Sequence, residues 1–543
     1  MNRGIAPAAF LCACAIAAPA AANKKDEAAC LSFTLGARSH LAVNSLGASG
    51  AASCDAALAD PERPKPDSAK AYYIRARALH RIAAKEYDAA LADLDAADRS
   101  ADTSDIFVKR SFPVANQMLR AFVRAQKGDK EGAVELARAA AAARPYDVDL
   151  AYAAARLEYA VTGNMDAFVG RLRDQARLDP QRIRMLFVTA LIRRKYDQAI
   201  PLYPHILFTV PQGRGGYVID ETAIEADNLL ARAQLTGGRA YAFAATGQPV
   251  FARSVLAAFQ GEVDRAMAEP APIVGPDGKP RPSRSRTAEW RKFLAKKPEI
   301  DRTLARWTNL VELRLKPGEV PTAEGVAQMA ASPEAADPTV LDLALAVQSA
   351  QPGNSYLTEE TMQRLRDGEA YQIAAIGRFS LLDLLSGVPD SDSDGRQPKY
   401  DGGSDSSILS TEGGYMGRKG PTEYSRTIKF NSTTGTGETV SELVMMRAAE
   451  LAREQQKKGF VVLARRIVPR SVTMGRQSWP QGFEAEIDVE FVDPAALPER
   501  YAGAEWRVVD ADALWTVQSA LYIEARAAMR AERERAKKAN GGG

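Results

Sequence analysis

Gly128-Asp129-Lys130-Glu131-Gly132-Ala133, followed seven residues on by Ala140 and closed by Arg144-Pro145, is the stretch on which the reading of this chain turns. A Gly-Asp turn, small residues at Ala133 and Ala140 and a helix-stopping proline describe the second helix of a hairpin. Positions seven apart share one helix face, and small side chains there let a neighbouring helix approach closely. The order recurs on both sides. Tyr87-Asp88-Ala89-Ala90 leads to Ala97, Gly163-Asn164 to Phe168, Tyr196-Asp197-Gln198-Ala199 to Tyr203, and Thr246-Gly247-Gln248 to Ala252 and Phe259. The aligned positions Ala90, Ala133, Phe168, Ala199 and Ala252 are separated by 43, 35, 31 and 53 residues. The long intervals predict inserts at 103–114 and 211–221.

This pattern over residues 68–260 resembles the tetratricopeptide repeat family, whose period is about 34 residues. The segment 115–145 carries the resemblance best, and the aromatic usual in each first helix is often replaced, as by Arg81 and Arg124. The resemblance implies an α-solenoid with a concave groove that binds a protein or peptide partner. Ala90, Ala97, Gly128, Ala133, Ala140, Pro145, Gly163, Ala199, Gly247 and Ala252 are then the expected repeat-packing residues.

The chain has 543 residues, of which 46% are hydrophobic, enough for more than one core. Its 71 Lys and Arg against 68 Asp and Glu leave a net charge of +3, which supplies no field for nucleic acid or an anionic membrane. His40, His80 and His205 are too dispersed to predict a metal site, and no cofactor motif is present. Residues 1–22 read as a secretory signal peptide: Arg3, an apolar run, then Ala20-Ala21-Ala22. Leu11-Cys12-Ala13-Cys14 reads alternatively as a lipobox with Cys14 lipidated, the one route by which a membrane would become a partner. Both readings export the chain to the periplasm or cell envelope, where Cys30 and Cys54 are expected to form a disulfide within the helical segment 23–67.

Residues 261–386 are expected to form a helical extension or cap, interrupted by a Pro-rich loop at 269–285, with helices 286–316, 322–351 and 358–385. Residues 387–422, rich in Ser, Asp and Gly, read as a flexible linker. Within it Asp390-Ser391-Asp392-Ser393-Asp394-Gly395 imitates half of a calcium loop, but the twelfth position is Asp401 and Pro398 intervenes, so a solvated acidic linker is the preferred reading.

Residues 423–525 form the expected small α+β domain with an antiparallel sheet. Its parts are a strand at 424–430, a helix at 441–457 opened by the capping box Thr439-Val440-Ser441-Glu442, a buried strand at 460–464 and a strand at 483–491 that alternates apolar and acidic residues. The string from Thr439 to Leu451, with Gly459-Phe460-Val461-Val462-Leu463, resembles a family of small uncharacterised bacterial envelope lipoproteins. That resemblance implies an envelope location and places Asn431 in a turn before the helix. The row Glu484, Glu486, Asp488 and Glu490 reads as a charge-paired face rather than as catalytic acids, and no nucleophile motif is present. Residues 526–543 read as a basic tail. The fold expected is mainly α, a tetratricopeptide-like solenoid followed by the α+β domain. The function expected is a scaffold, not an enzyme, with an architectural lipoprotein anchored through Cys14 as the alternative and a hydrolase with its site in the C-terminal domain a weaker one.

Overall fold

The computed structural model describes residues 24–31, 46–60, 64–208, 221–274, 277–281, 284–398, 400, 414–474 and 477–540. The expected leader, Cys14, His40 and most of the insert at 211–221 lie outside them. The described chain is mainly helical, with a small five-stranded antiparallel sheet near its C-terminus.

Helices α1 (Lys24–Cys30) and α2 (Ala48–Ala59) are joined by the disulfide Cys30–Cys54, Cα atoms 4.7 Å apart. They rest on α3 (Asp67–Ala83), where buried His80 accepts from the Gly47 N–H through Nδ1, which leaves Nε2–H to donate to the Cys30 carbonyl.

From α3 onward, five helix pairs follow. They are α3 with α4 (Tyr87–Ser100), α5 (Ile106–Gln126) with α6 (Lys130–Ala143), and α7 (Val148–Thr162) with α8 (Met165–Ala176). Then come α9 (Arg182–Ile192) with the short α10 (Tyr196–Ala199), and α11 (Glu221–Ala245) with α12 (Pro249–Met267). Each pair turns on one left-handed residue two positions before its second helix: Lys85, Gly128, Gly163, Arg194 and Gly247. In four pairs the next N–H reaches back five residues to a first-helix carbonyl, as Glu86 does to Arg81 and Asp129 to Arg124, closing a Schellman turn. The residue three into each second helix is Ala90, Ala133, Phe168, Ala199 or Ala252, and all five are buried. The register read from the sequence is thus a register of turns in space.

Ala97 and Ala140 are buried with them, whereas Pro145 is exposed and does not pack. Pro145 acts by ending α6, since it pushes Arg144 out of helical geometry. The glycines serve the turn, not the helix interface. The insert expected at 103–114 is no loop: from Ile106 it is the first part of α5, a helix of 21 residues.

A two-residue ribbon, β1 (Ile273–Val274) and β2 (Pro280–Arg281), occupies the Pro-rich segment. Then come α13 (Arg284–Leu315), α14 (Val320–Ala330), α15 (Pro338–Ala350), α16 (Glu359–Gly377) and α17 (Leu381–Gly387). Helix α13 is continuous over 32 residues, so it holds no further pair of repeats. It packs along α11 and α12 around Tyr241, Trp307, Leu310 and Phe259.

The sheet has the order β3-β4-β6-β5-β7, every neighbouring pair antiparallel, from β3 (Gly414–Lys419), β4 (Ser425–Ser432), β5 (Gly459–Met474), β6 (Gln477–Val492) and β7 (Val508–Asp510). Ile428 lies opposite Ile487 and Phe430 opposite Ala485, and this apolar face is covered by α18 (Gly437–Glu454) and α19 (Ala511–Ser519). Strand β3 was not anticipated, because Gly-Tyr-Met-Gly-Arg-Lys carries no alternation. Asn431 lies inside β4, not in a turn. Helix α18 begins earlier than expected: Thr436 is its N-cap and accepts from the Thr439 N–H. The expected basic tail is α20 (Arg526–Asn540), a helix that follows α19 through one π-helical turn.

Candidate interaction surface

The face made by the first helices of the pairs is where the solenoid reading puts a partner. Over α7, α5 and α3 the chain's own later segment covers it. At α9, Arg194 pairs with Glu369 of α16 at 2.5 Å. At α7, Arg156 holds both Asp383 and the Arg378 carbonyl, and Gly387 lies so close that a Cβ there would stand 2.4 Å from that of Ala153. At α5 and α3, Leu384, Leu385 and Val388 join the core with Leu79, Leu119 and Leu150. The Ser111 hydroxyl accepts from the Asp392 N–H, Asp105 accepts from the Asp394 N–H, and buried Arg75 donates to Ser391. Residues 369–394 therefore form a strap that crosses the pairs in reverse order.

The segment expected as linker is accordingly packed in its first part, with Ser391, Asp392, Asp394 and Gln397 buried. Its resemblance to a calcium loop dissolves in the same contacts. Asp394 faces Arg526 at 2.8 Å and Arg530 at 3.0 Å, and Asp392 accepts from the Thr439 hydroxyl at 2.7 Å. Among the described residues no group of His, Cys, Asp or Glu side chains is placed to hold a metal ion.

At α9 the strap only borders the face, with Gln372 of α16 on its edge, and does not fill it. A cleft of about 520 Å³ lies between α9, α11, α13 and the start of α15, walled by Val188, Leu191, Leu235, Trp307 and Pro338. Gly237 in α11 lets the Trp307 ring lie directly against that helix, since a Cβ there would meet the ring at 2.0 Å. Several polar side chains of this wall answer one another: Trp307 donates to Gln234 at 3.0 Å, and Arg306 pairs with Asp337, which also accepts from Thr339. The rest of the wall is mostly apolar apart from Gln372, with Val188 37% exposed.

Where the sheet domain meets the hairpins, the chain buries a cluster of charge. Glu442 accepts from Arg144 at 2.9 Å, from Arg110 at 3.2 Å and from the Tyr522 hydroxyl. Burial works against its ionisation, but Arg110 and Arg144 outweigh that and hold its carboxyl down at about 2. Glu442 closes no capping box with Thr439, because the helix already starts at Gly437 with Thr436 as its N-cap. One turn earlier Glu438 is buried with Oε2 unpartnered, and burial, reinforced by Asp147, pushes it up to about 8. Burial also raises Asp147, against the pull of Arg144.

Three of the four acids of the β6 row are charge-paired, Lys429 with Glu484 at 2.6 Å, Arg466 with Glu486 at 2.8 Å, and Arg500, with the Tyr501 hydroxyl, with Glu490, while Asp488 accepts from the Thr427 hydroxyl. The ends of the row are not solvated, because Glu484 and Glu490 are buried. Arg465 turns away from the row to Ser441 at 2.9 Å. Among the described residues no helix is long and apolar enough to cross a membrane.

No family model matches this chain, and neither does any curated protein or solved structure. The surface must be read from its own geometry. Sequence reasoning did not single out Trp307, and it gave Arg144 only as part of a helix stop and His205 only as a dispersed histidine; a signal for the first was the Gly237-Gly238 pair, which has no turn to make inside a helical period.

Proposed function

We propose that the chain is an exported, envelope-located scaffold of tetratricopeptide type that binds a protein partner, and that the contact is the open cleft around Val188 and Trp307. The observation that carries this is the division of the first-helix face: filled by the strap over α5 and α7, but a mostly apolar hollow at α9, α11 and α13. Such a hollow suits an apolar anchor from a partner, the element that dominates protein interfaces.

Crosslinking of the mature chain in envelope extracts, followed by mass spectrometry, tests the reading. The wild type and a Val250→Glu control, changed at a residue 76% exposed on α12, should recover the same partner, and Val188→Glu should lose it. Recovery of that partner by Val188→Glu, or residence of the chain in the cytoplasm, sinks the reading. The strap favours a second one, an architectural envelope protein whose groove is filled for good and which is anchored through Cys14. That reading expects no partner at the cleft and blocked processing in Cys14→Ala.

A further inference from the structure

Helix α9 has two lined faces. Val188, Leu191 and Ile192 border the cleft described above, whereas Leu186, Ala190 and Arg193 point the other way, into a cavity of about 250 Å³ closed by the 503–506 turn of the sheet domain. Its walls include Leu186, Ala190, Leu202 and Trp506, and its polar groups are Arg173, Arg193 and His205, with exposed Asp197 and Gln198 also on its lining.

Two observations fix the electrical character of this cavity. The first is the His205 tautomer. Nη1 of Arg507 lies 3.0 Å from His205 Nδ1. A guanidinium only donates, so Nδ1 accepts and the ring proton is on Nε2. Burial, with Arg507 beside it, depresses His205 to about 4, so the ring is neutral and Nε2–H is the donor left on the wall. No hydrogen bond to Nε2 occurs among the described residues.

The second is Arg507 itself. It is 3% exposed; its Nη2 donates to the Val462 carbonyl at 2.7 Å, and its Nε has no partner. No carboxylate among the described residues lies within ion-pair distance of it. A buried cation held only by neutral acceptors is costly, and an anion nearby recovers part of that cost. The imidazole stands between this charge and the cavity. At the rim, the Arg173 guanidinium stacks 5.1 Å from the Trp506 ring, and Arg193 is engaged only by Asp166, itself in solvent.

We propose that this cavity binds a small carboxylic acid with an aryl-sized apolar body. The carboxylate accepts from His205 Nε2–H and Arg173, and the ring lies against Leu186, Leu202 and Trp506. A cavity of about 150 Å³ suffices for benzene, so the space here admits one ring on a short acid arm. The proposal is independent of the partner cleft, which lies on the opposite face of α9.

Calorimetric titration of the full mature chain with 3-phenylpropionate, its primary amide and 3-phenylpropylamine tests it. The acid should bind saturably, and the amide about tenfold more weakly or worse, as befits a lost charged hydrogen bond. With three histidines in the chain, the His205 ring signals can be assigned by substitution and should shift on adding the acid. His205→Phe keeps a ring against Tyr501 but removes the donor, and should weaken the acid about tenfold. Should that variant misfold, Arg173→Gln, at an exposed position, should weaken it several-fold. Absence of saturable acid binding, equal binding of acid and amide, preference for the amine, or undiminished binding by both variants overturns the proposal.

Discussion

At the scale of single residues, the turns carry the most direct energetic statement. Lys85 and Arg194 occupy the same left-handed position as Gly128, Gly163 and Gly247, with φ of 65° and 56°. A side chain there costs roughly 1 kcal/mol that glycine does not. Lys85 is exposed, so Lys85→Gly should raise stability by up to about 1 kcal/mol in urea denaturation. Glu438 and Glu442 make opposite predictions from one helix. Glu438 is raised in the folded state, so the stability it lends is complete below the ordinary carboxylate range and is lost as pH rises through about 8. Glu442 is depressed, so its contribution is present above that range and is lost as pH falls through about 2. Glu438→Gln should therefore gain on the wild type between about pH 5 and about pH 8, measured by urea midpoints, while Glu442→Gln should lose stability at neutral pH. A parallel pH slope in wild type and Glu438→Gln would show that Glu438 is not the titrating group.

At the scale of elements, the strap sets the expectation. Gly387→Val would drive a side chain into Ala153 and toward the Asp149 carbonyl, 3.0 Å from its Cβ. The variant should cost about 1–3 kcal/mol and speed amide exchange in α17 while leaving α18 unchanged. The sequence told the pairs apart from the strap for a physical reason. The pairs are local: a left-handed turn and small residues at fixed offsets lie within one short window, so Ala90, Ala133 and Ala252 could be read in order. The strap is not local. Ser391, Asp392 and Asp394 are polar by composition, and only their partners Arg75, Ser111 and Arg526, far away in sequence, make them buried. The same holds for Glu442, whose burial is explained only by Arg110 and Arg144, both distant in sequence; its reading as half of a capping box fails because the helix already starts at Gly437. Strand β6 was legible through its period of two, and β3 was not because its neighbour β4 supplies the pairing that its own residues do not announce.

At the scale of the whole molecule, the C-terminal end of the described chain is tied back to its earlier parts. Arg526, Arg530 and Arg533 stand on one side of α20; all three reach Asp394, and Arg533 also reaches Asp105, so the C-terminal helix, the strap and α5 meet at one carboxylate. Asp394→Ala leaves buried Arg526 with carbonyl acceptors alone, while the more exposed Arg530 turns to solvent and Arg533 keeps Asp105, and should cost about 1–3 kcal/mol, with α20 becoming the first site of limited proteolysis. Unchanged proteolysis would mean that α20 is held by its apolar contacts alone. The reversed course of the strap has a consequence for how the molecule comes into being. Helices α3, α5 and α7 leave the ribosome with an apolar seam whose closing residues, Leu384, Leu385 and Val388, are synthesised much later. Contacts so distant along the chain form slowly, and the unsealed half must wait for them. Were the chain exported as proposed above, that delay would keep the N-terminal helices in a state a translocation channel can still thread, until the arrival of the strap ends it.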